Sequence, residues 1–515
     1  MGYSRTTAVA LTGTDATIVT VETAIVATAD PKVRISGLPE TVAEQAQTRV
    51  RSALANSSLR FPDQEVTITC NPATPGLVGS ATDLALAVTV LGAAGDIDTA
   101  ALSGTVLLAE LGLDGSLRAL PGVYPALTAA RAAGFDGAIV AADNAAEAAL
   151  VEGMTVFTVP DLATLAAWLW GQAEITSVQP APAAGPLPAL PDLADLPISA
   201  RARWALEVAA AGGHHMLLVG PPGAATTAIA ERLPGLLPAL TAEAAEEVTG
   251  LHSLRGRLIG SEANRIEHPP FAAPHHSITT ASFIGGGAGA RVLGEVALAH
   301  RGVLFIDEAP DWPLPVLDSL WQVLESGEVR IRRGDTRIAY PADVQLVLAA
   351  APCPCRAASP GACRCRGSQR RGYLAQISRS VLNRVDLRVH LPALGPLTEG
   401  TDRPRGESSE MVAARVAAAR AAAAVRWSAA GEPWRCNRDV PGPILRSPAW
   451  RLPDEAVAVA HQLIRTERIT ARGYDRALKL AWTIADLRGH EEPTRDDVAA
   501  AASLRLGLDL GSEEQ

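Results

Sequence analysis

Lysine is almost missing from this chain: among its 515 residues only Lys32 and Lys479 occur, so nearly all the basic charge is arginine. Alanine is abundant, a bias that fits GC-rich coding drift, in which lysine gives way to arginine. Basic charge as a whole is also short. The formal net charge of −10 excludes a globally basic nucleic-acid binder, although a local basic patch remains compatible with it. Cysteine is sparse, at six residues, and four of them cluster, so a disulfide framework is not expected in a chain this large. No uninterrupted apolar run reaches membrane-spanning length, and the start, MGYSRTTAVALTG, has no charged stretch followed by an apolar one. A cytoplasmic protein without a membrane partner is the expectation. An apolar fraction of 48% is enough for several cores, and the length suits two to four domains.

Along residues 1–172, short Val/Ile/Thr-rich runs such as TIVTVETAIVAT and EVTITC read as strands, and TVAEQAQTRVRSALANS and YPALTAARAAG read as amphipathic helices. The fold class is therefore α/β from the start. Residues 173–197 include a proline-rich stretch, QPAPAAGPLPALPDLADLP, expected to act as a semi-rigid linker. In residues 198–395 the runs HHMLLVG, GVLFID and VQLVLAA alternate with helical segments, the signature of a mostly parallel sheet. Residues 396–515 become helical and predict a lid of roughly four helices.

The strand HHMLLVG runs into Gly220, Pro221, Pro222, Gly223, Ala224, Ala225, Thr226 and Thr227, then a helix. Strand, glycine-containing loop and helix make the phosphate cradle of P-loop proteins, with the pattern G-x-x-x-x-G-K-[ST]. Gly220 holds the first glycine, and Thr227 the hydroxyl that would bind Mg²⁺. Ala225 stands at the second glycine and Thr226 at the lysine. Losing one partner of a buried charged pair costs about 2–5 kcal/mol, roughly 30- to 3,000-fold in affinity. Arginine drift does not explain a threonine. Further on, the apolar run in GVLFIDEAP leads to Asp307, suited to orient Mg²⁺, and Glu308, suited to activate an attacking water. ATP and Mg²⁺ are the implied cofactors, with weakened binding.

Cys353, Cys355, Cys363 and Cys365 form C-x-C…C-x-C in a loop rich in Gly, Pro and Arg. Four thiolates can satisfy tetrahedral Zn²⁺, while a single intervening residue is tighter than the usual two. Structural zinc, free thiols and a redox disulfide all remain open on the sequence. His275 and His276 are adjacent, a poor arrangement for sharing one metal, so a structural or intersubunit role is expected. Residues 328–340 read as a β-hairpin turning at Gly334-Asp335 and carrying Arg330, Arg332, Arg333 and Arg337. Such arginines can track a phosphate backbone without reading bases, or simply keep a sheet edge in water.

The segments APHHSITTASFIGGG, GEVALAHRGVLFIDEAP, LESGEVRIRRGDTRIAYPADVQLV, PCPC and ARGYDRALKLAWTIADLRG closely resemble the ComM-type (YifB-like), magnesium-chelatase-like AAA+ ATPases over nearly the whole chain. The resemblance implies a Lon-protease-like α/β domain over 1–172, an AAA+ parallel-sheet core over 198–395 and a helical lid over 396–515. It further implies a hexameric motor ATPase, the competence member being a DNA branch-migration helicase, with the hairpin pointing into the ring channel. Arg384 matches the arginine finger, which serves a neighbouring subunit, and Arg472 matches the sensor-2 arginine. Ala351 replaces the sensor-1 asparagine, and Ala81 stands where Lon proteases carry their serine, which sets peptidase activity aside. The expected protein is a DNA-processing ring with reduced ATP hydrolysis. An active ATP-driven helicase, or a scaffold that uses the fold only for assembly, are the alternatives.

Overall fold

A computed structural model describes residues 2–28, 31–73, 80–180, 190–260, 263–286, 293–333, 336–357, 360–393 and 406–508. The turn of the expected hairpin and the middle of the proline-rich stretch lie outside them.

The first sheet has eight strands, ordered Thr176–Ser177, Thr155–Val159, Gly137–Ala141, Thr105–Leu108, Gly2–Thr12, Asp15–Val26, Glu65–Asn71 and Val33–Ser36. Its longest pair, Gly2–Thr12 with Asp15–Val26, is antiparallel. Along the second of these, Val19, Val21, Thr23 and Ile25 are buried, the alternation of a sheet with one face on a core. Helices Glu40–Asn56, Asp83–Ala94 and Val123–Ala132 cover the sheet. Glu147 ties this part to helix Ala242–Leu254: its carboxylate accepts from the Ser253 hydroxyl and, at 3.0 Å, from the Tyr124 N–H.

The second sheet has five strands, ordered Phe271–Ala272, Val303–Ile306, Gln345–Ala350, Met216–Val219 and Leu387–His390, and every neighbouring pair is parallel. Its three central strands are buried at every residue, which is why they read as unbroken apolar runs. Because the strands run the same way, the loops after Val219, Ile306 and Ala350 leave from one edge, where ligands bind in open α/β sheets.

Both ends of the segment expected as a linker are built into the fold. Thr176–Ser177 adds an edge strand to the first sheet. Asp192 caps a 3₁₀ turn at Leu193–Asp195, and Leu193 and Leu196 are buried in the core beneath the second sheet. Apolar burial there outweighs the proline content.

Four long helices, Ser409–Ala429, Asp454–Arg465, Ala471–Arg488 and Arg495–Leu506, form the C-terminal part. Trp427 lies fully buried at their centre, its ring 4.6 Å from that of Trp450 and 6.1 Å from that of Trp482. Its indole N–H donates to Asn437 at 3.0 Å. No helix among the described residues is long and apolar enough to cross a membrane.

Candidate nucleotide site

Gly220 opens the loop after strand Met216–Val219, its N–H donating to the Ala350 carbonyl at 3.0 Å. A Cβ on Gly220 would lie 2.5 Å from that of Ala224, so only glycine fits this turn. Ala225 has φ +58, the left-handed conformation for which the pattern supplies glycine. An L-residue with a Cβ adopts it at a cost of about 1–2 kcal/mol. The loop thus keeps its course without the second glycine, and helix Thr226–Arg232 begins directly after it.

Thr227 and Asp307 are brought together: the threonine hydroxyl donates to the Asp307 carboxylate at 3.3 Å. Two hard oxygen donors at this separation, beside a loop of P-loop shape, fit Mg²⁺ in character. The other Asp307 oxygen accepts the Glu308 N–H at 2.9 Å, and the Asp307 carbonyl accepts from Trp312 at 2.8 Å. Glu308 itself has φ +48, which turns its side chain away from the strand line.

Two further residues face Glu308. Arg356 donates to it at 2.6 Å and pairs with Asp311 through its other arm. His276 Nδ1 lies 4.0 Å away from the second Glu308 oxygen, and its ring stands 4.0 Å from that of His275. The sequence alone points to a structural or intersubunit role for the histidines and gives no role to Arg356. The pairs are far apart in sequence and belong to no motif, so only the sheet topology brings them together.

The four cysteines also converge. Their sulfurs all lie within 4.8 Å of one another, with Cys353–Cys355 at 3.2 Å, Cys353–Cys363 at 3.5 Å and Cys355–Cys363 at 3.7 Å. None is in a disulfide. Zinc–sulfur bonds of about 2.3 Å place tetrahedral ligands about 3.8 Å apart. The cluster therefore fits zinc despite the tight C-x-C spacing. Hydrogen bonding from the Cys353 thiol, then from the Ala357 backbone, pushes the Cys355 thiol down to about 6, while burial and the neighbouring thiols push Cys353 up to about 11.

Comparison with known proteins gives the chain its family. Residues 192–398 match the family described as magnesium chelatase, subunit ChlI; residues 21–144 match subunit ChlI of Mg-chelatase; and residues 406–505 match its C-terminal part. An uncharacterized protein of Mycobacterium tuberculosis (strain H37Rv) is 42% identical over 509 residues, 98% of this chain and 99% of its own length. YifB of Escherichia coli K12 is 35% identical, with 92% of each chain covered. Competence protein ComM of Haemophilus influenzae is 34% identical over 99% of this chain and 97% of its own. The chain belongs to the ComM-type, magnesium-chelatase-like AAA+ family.

The residues that this family membership singles out fall at different places. Arg384 is not beside Asp307. It precedes strand Leu387–His390, and Asp386 and Leu387 both donate backbone N–H groups to the His215 carbonyl, at the amino ends of the strands. Gly220, Asp307 and Ala351 follow the carboxyl ends, so the length of the sheet, about 13–16 Å for a four- to five-residue strand, separates Arg384 from its own phosphate loop. Arg476 donates to the Arg384 carbonyl at 2.9 Å, and Arg472 sits one turn earlier on the same helix. Burial, then the guanidiniums of Arg476 and Arg472, push Arg384 down. Its side chain pairs with Glu325, and it lines a cleft of ≈ 330 Å³ with Arg438, Arg476 and Lys479.

The hairpin is present as strands Glu328–Arg333 and Thr336–Pro341. Val329 and Tyr340 are buried, while Arg330, Arg332 and Arg337 are exposed, with Arg332 directly opposite Arg337. Arg330 also pairs with Glu328 at 3.1 Å. The side chain of Arg333 lies outside the described residues. Ala81 is buried just before helix Asp83–Ala94, and the neighbouring Ser80 hydroxyl donates to Glu110.

Proposed function

We propose that this chain assembles into a ring, hexameric as in the motor ATPases it resembles, with ATP-binding sites shared between neighbouring copies. The separation of Arg384 and Arg472 from Asp307 and Glu308 supports this most strongly. Two arginines gathered at the amino ends of the strands cannot reach their own phosphate loop, and the next copy's would be the one they meet, once Arg384 exchanges Glu325 for phosphate. Thr227 and Asp307 would hold Mg²⁺ and its waters, and the metal would neutralise phosphate charge. Glu308 would take the proton of the attacking water, and Arg384 and Arg472 of the neighbour would stabilise the transferring phosphoryl group.

Hydrolysis by this chain is proposed to be slow. Thr226 offers the phosphates no charge, and Ala351 has no polar side chain. The cysteine loop is read as a structural Zn²⁺ centre, and the three parts of the chain as one ring subunit: 1–172, 198–395 and 396–515. DNA is the proposed substrate, held through its backbone by Arg330, Arg332, Arg333 and Arg337, and the setting is the cytoplasm. The competence relative supports a role in DNA processing, here as a branch-migration-type ring.

Sedimentation of the full chain tests this reading. Mg·ATP together with single-stranded or branched DNA should shift it to a ring of several copies. A chain that stays monomeric under both ligands, at concentrations where DNA is bound, overturns it.

A further inference from the structure

Arg356 has no part in the nucleotide-binding motifs of the chain, yet its guanidinium reaches Glu308 of the candidate nucleotide site. One arm donates to Glu308 at 2.6 Å and the other meets Asp311. Glu308 in turn donates its N–H to Asp307 at 2.9 Å, and Asp307 accepts from Thr227 at 3.3 Å. A single residue therefore separates the guanidinium from the pair expected to hold Mg²⁺.

The backbone marks the position independently. Six described non-glycine residues have positive φ, and three of them, Ala225, Glu308 and Arg356, belong to this one site. Such conformations cost about 1–3 kcal/mol each and gather where function over-determines the backbone. Arg356, at φ +50, closes a turn by donating its N–H to the Cys353 carbonyl at 3.1 Å. The Cys353, Cys355, Cys363 and Cys365 sulfurs pack together on that same turn. The cysteine loop is thus the mount that holds the arginine over Glu308.

Electrostatics gives the reason for a cation here. A triphosphate entering beside Thr227 would meet the carboxylates of Asp307, Glu308 and Asp311, and at position 226 a neutral hydroxyl in place of a lysine. Arg356 is the guanidinium already paired with two of those carboxylates. Its side chain is 44% exposed, so it can exchange a carboxylate for a phosphate without unpacking. A planar guanidinium binds either group with two parallel N–H donors.

We propose that Arg356 is a phosphate-binding residue of this site, supplying from the cysteine loop the positive charge that Thr226 does not. The inference rests on the reading of this site as one for ATP. Because Arg356 sits on the Glu308 side, it contacts the terminal phosphate.

The test is titration of the full chain with Mg·ATP and with Mg·ADP, for the wild type, Arg356→Ala, Arg356→Lys and Thr226→Lys. Arg356→Gln serves if the alanine variant does not fold. Arg356→Ala should weaken Mg·ATP by about tenfold or more, a range that allows for the partial exposure of the arginine. ADP should change by less than about threefold, a distinction that general damage to the loop would not make. Arg356→Lys should recover part of the loss, and adding Thr226→Lys to Arg356→Ala should recover most of it. Wild-type ATP binding that Arg356→Ala leaves unchanged or tightens overturns this proposal alone, and Arg356 is then only a guard on Glu308. A wild type that binds no ATP, while Ala225→Gly with Thr226→Lys binds it, overturns both this proposal and the ATP reading of the native site.

Discussion

The imidazole Nδ1 of His215 accepts the backbone N–H of Leu346 at 3.0 Å, an arrangement open only to a neutral ring. His215 lies just before strand Met216–Val219, and Leu346 lies on the central strand beside it. Burial pushes His215 down to about 3 and His252 to about 4, from an ordinary 6.5. The folded state therefore refuses protons that the unfolded chain accepts below pH 6.5. Stability should be full above that pH and fall as pH drops through 6.5 toward 4, by up to about 1.4 kcal/mol per pH unit for each histidine. Urea unfolding at a series of pH values checks this. His215→Gln should flatten the decline, and an unchanged slope would remove His215 as its cause.

Asp386 is fully buried at the amino end of the sheet, where it pairs with Arg476 and accepts the His215 N–H at 2.9 Å. Despite its burial, Arg476, then His214, hold its carboxyl well below the usual range. Arg476→Ala leaves that charge without its main partner, and such losses cost about 3–5 kcal/mol. The expected result is a large drop in thermal midpoint, with Arg472→Ala, exposed one turn away, nearly neutral. Equal effects of the two would contradict the buried-pair assignment.

Purified protein should carry about one Zn²⁺ per chain. Cys353→Ser and Cys363→Ser should each lose it, because each sulfur is one of four within 4.8 Å. Elemental analysis showing no metal, with all four thiols alkylated in the native state, would leave the cluster as free cysteines.

The hairpin should bind DNA without sequence preference. Arg330, Arg332 and Arg337 are exposed on its two strands, while Val329 and Tyr340 anchor its other face. Replacing the three arginines with alanine should weaken binding and reduce the slope of log K against log salt by about 2–3, close to one unit per lost phosphate contact. An unchanged slope moves the DNA contact elsewhere.

What could be read in advance followed from local pattern. Val19, Val21 and Ile25 alternate, Val303–Ile306 is unbroken, and each strand was visible for that reason. Asp307 and Glu308 announced themselves by following such a run. Arg356 did not, because its partner Glu308 lies well upstream and only the adjacency of strands Val303–Ile306 and Gln345–Ala350 joins their loops. Asp386 was hidden for the same reason: nothing local to Val385-Asp386-Leu387 tells that the sheet buries this carboxylate. The proline-rich stretch misled at its ends, where Leu193 and Leu196 find a core that composition cannot reveal.

Arg384 and Glu308 lie at opposite strand ends of one parallel sheet, so in the proposed ring a subunit with a poor site of its own would still complete its neighbour's. Arg384 has a chemistry independent of Thr226, and fingers of this kind contribute about 10³–10⁵ in rate where they are best measured. It is held by Glu325 within its own chain, and the proposed assembly would exchange that partner for phosphate. The experiment mixes the wild type with an Ala225→Gly, Thr226→Lys chain that also carries Arg384→Ala. The second chain has a restored phosphate loop and no finger; the first has a finger and a poor loop. Each alone should turn over slowly, and the mixture should hydrolyse ATP at least about tenfold faster, a small part of the range such fingers can supply. Arg384→Ala in the first chain should abolish the gain, while Glu325→Gln in it should preserve or raise the gain by freeing the guanidinium. Co-assembly shown by sedimentation without any stimulation would make Arg384 a structural arginine and leave a ring used for assembly alone.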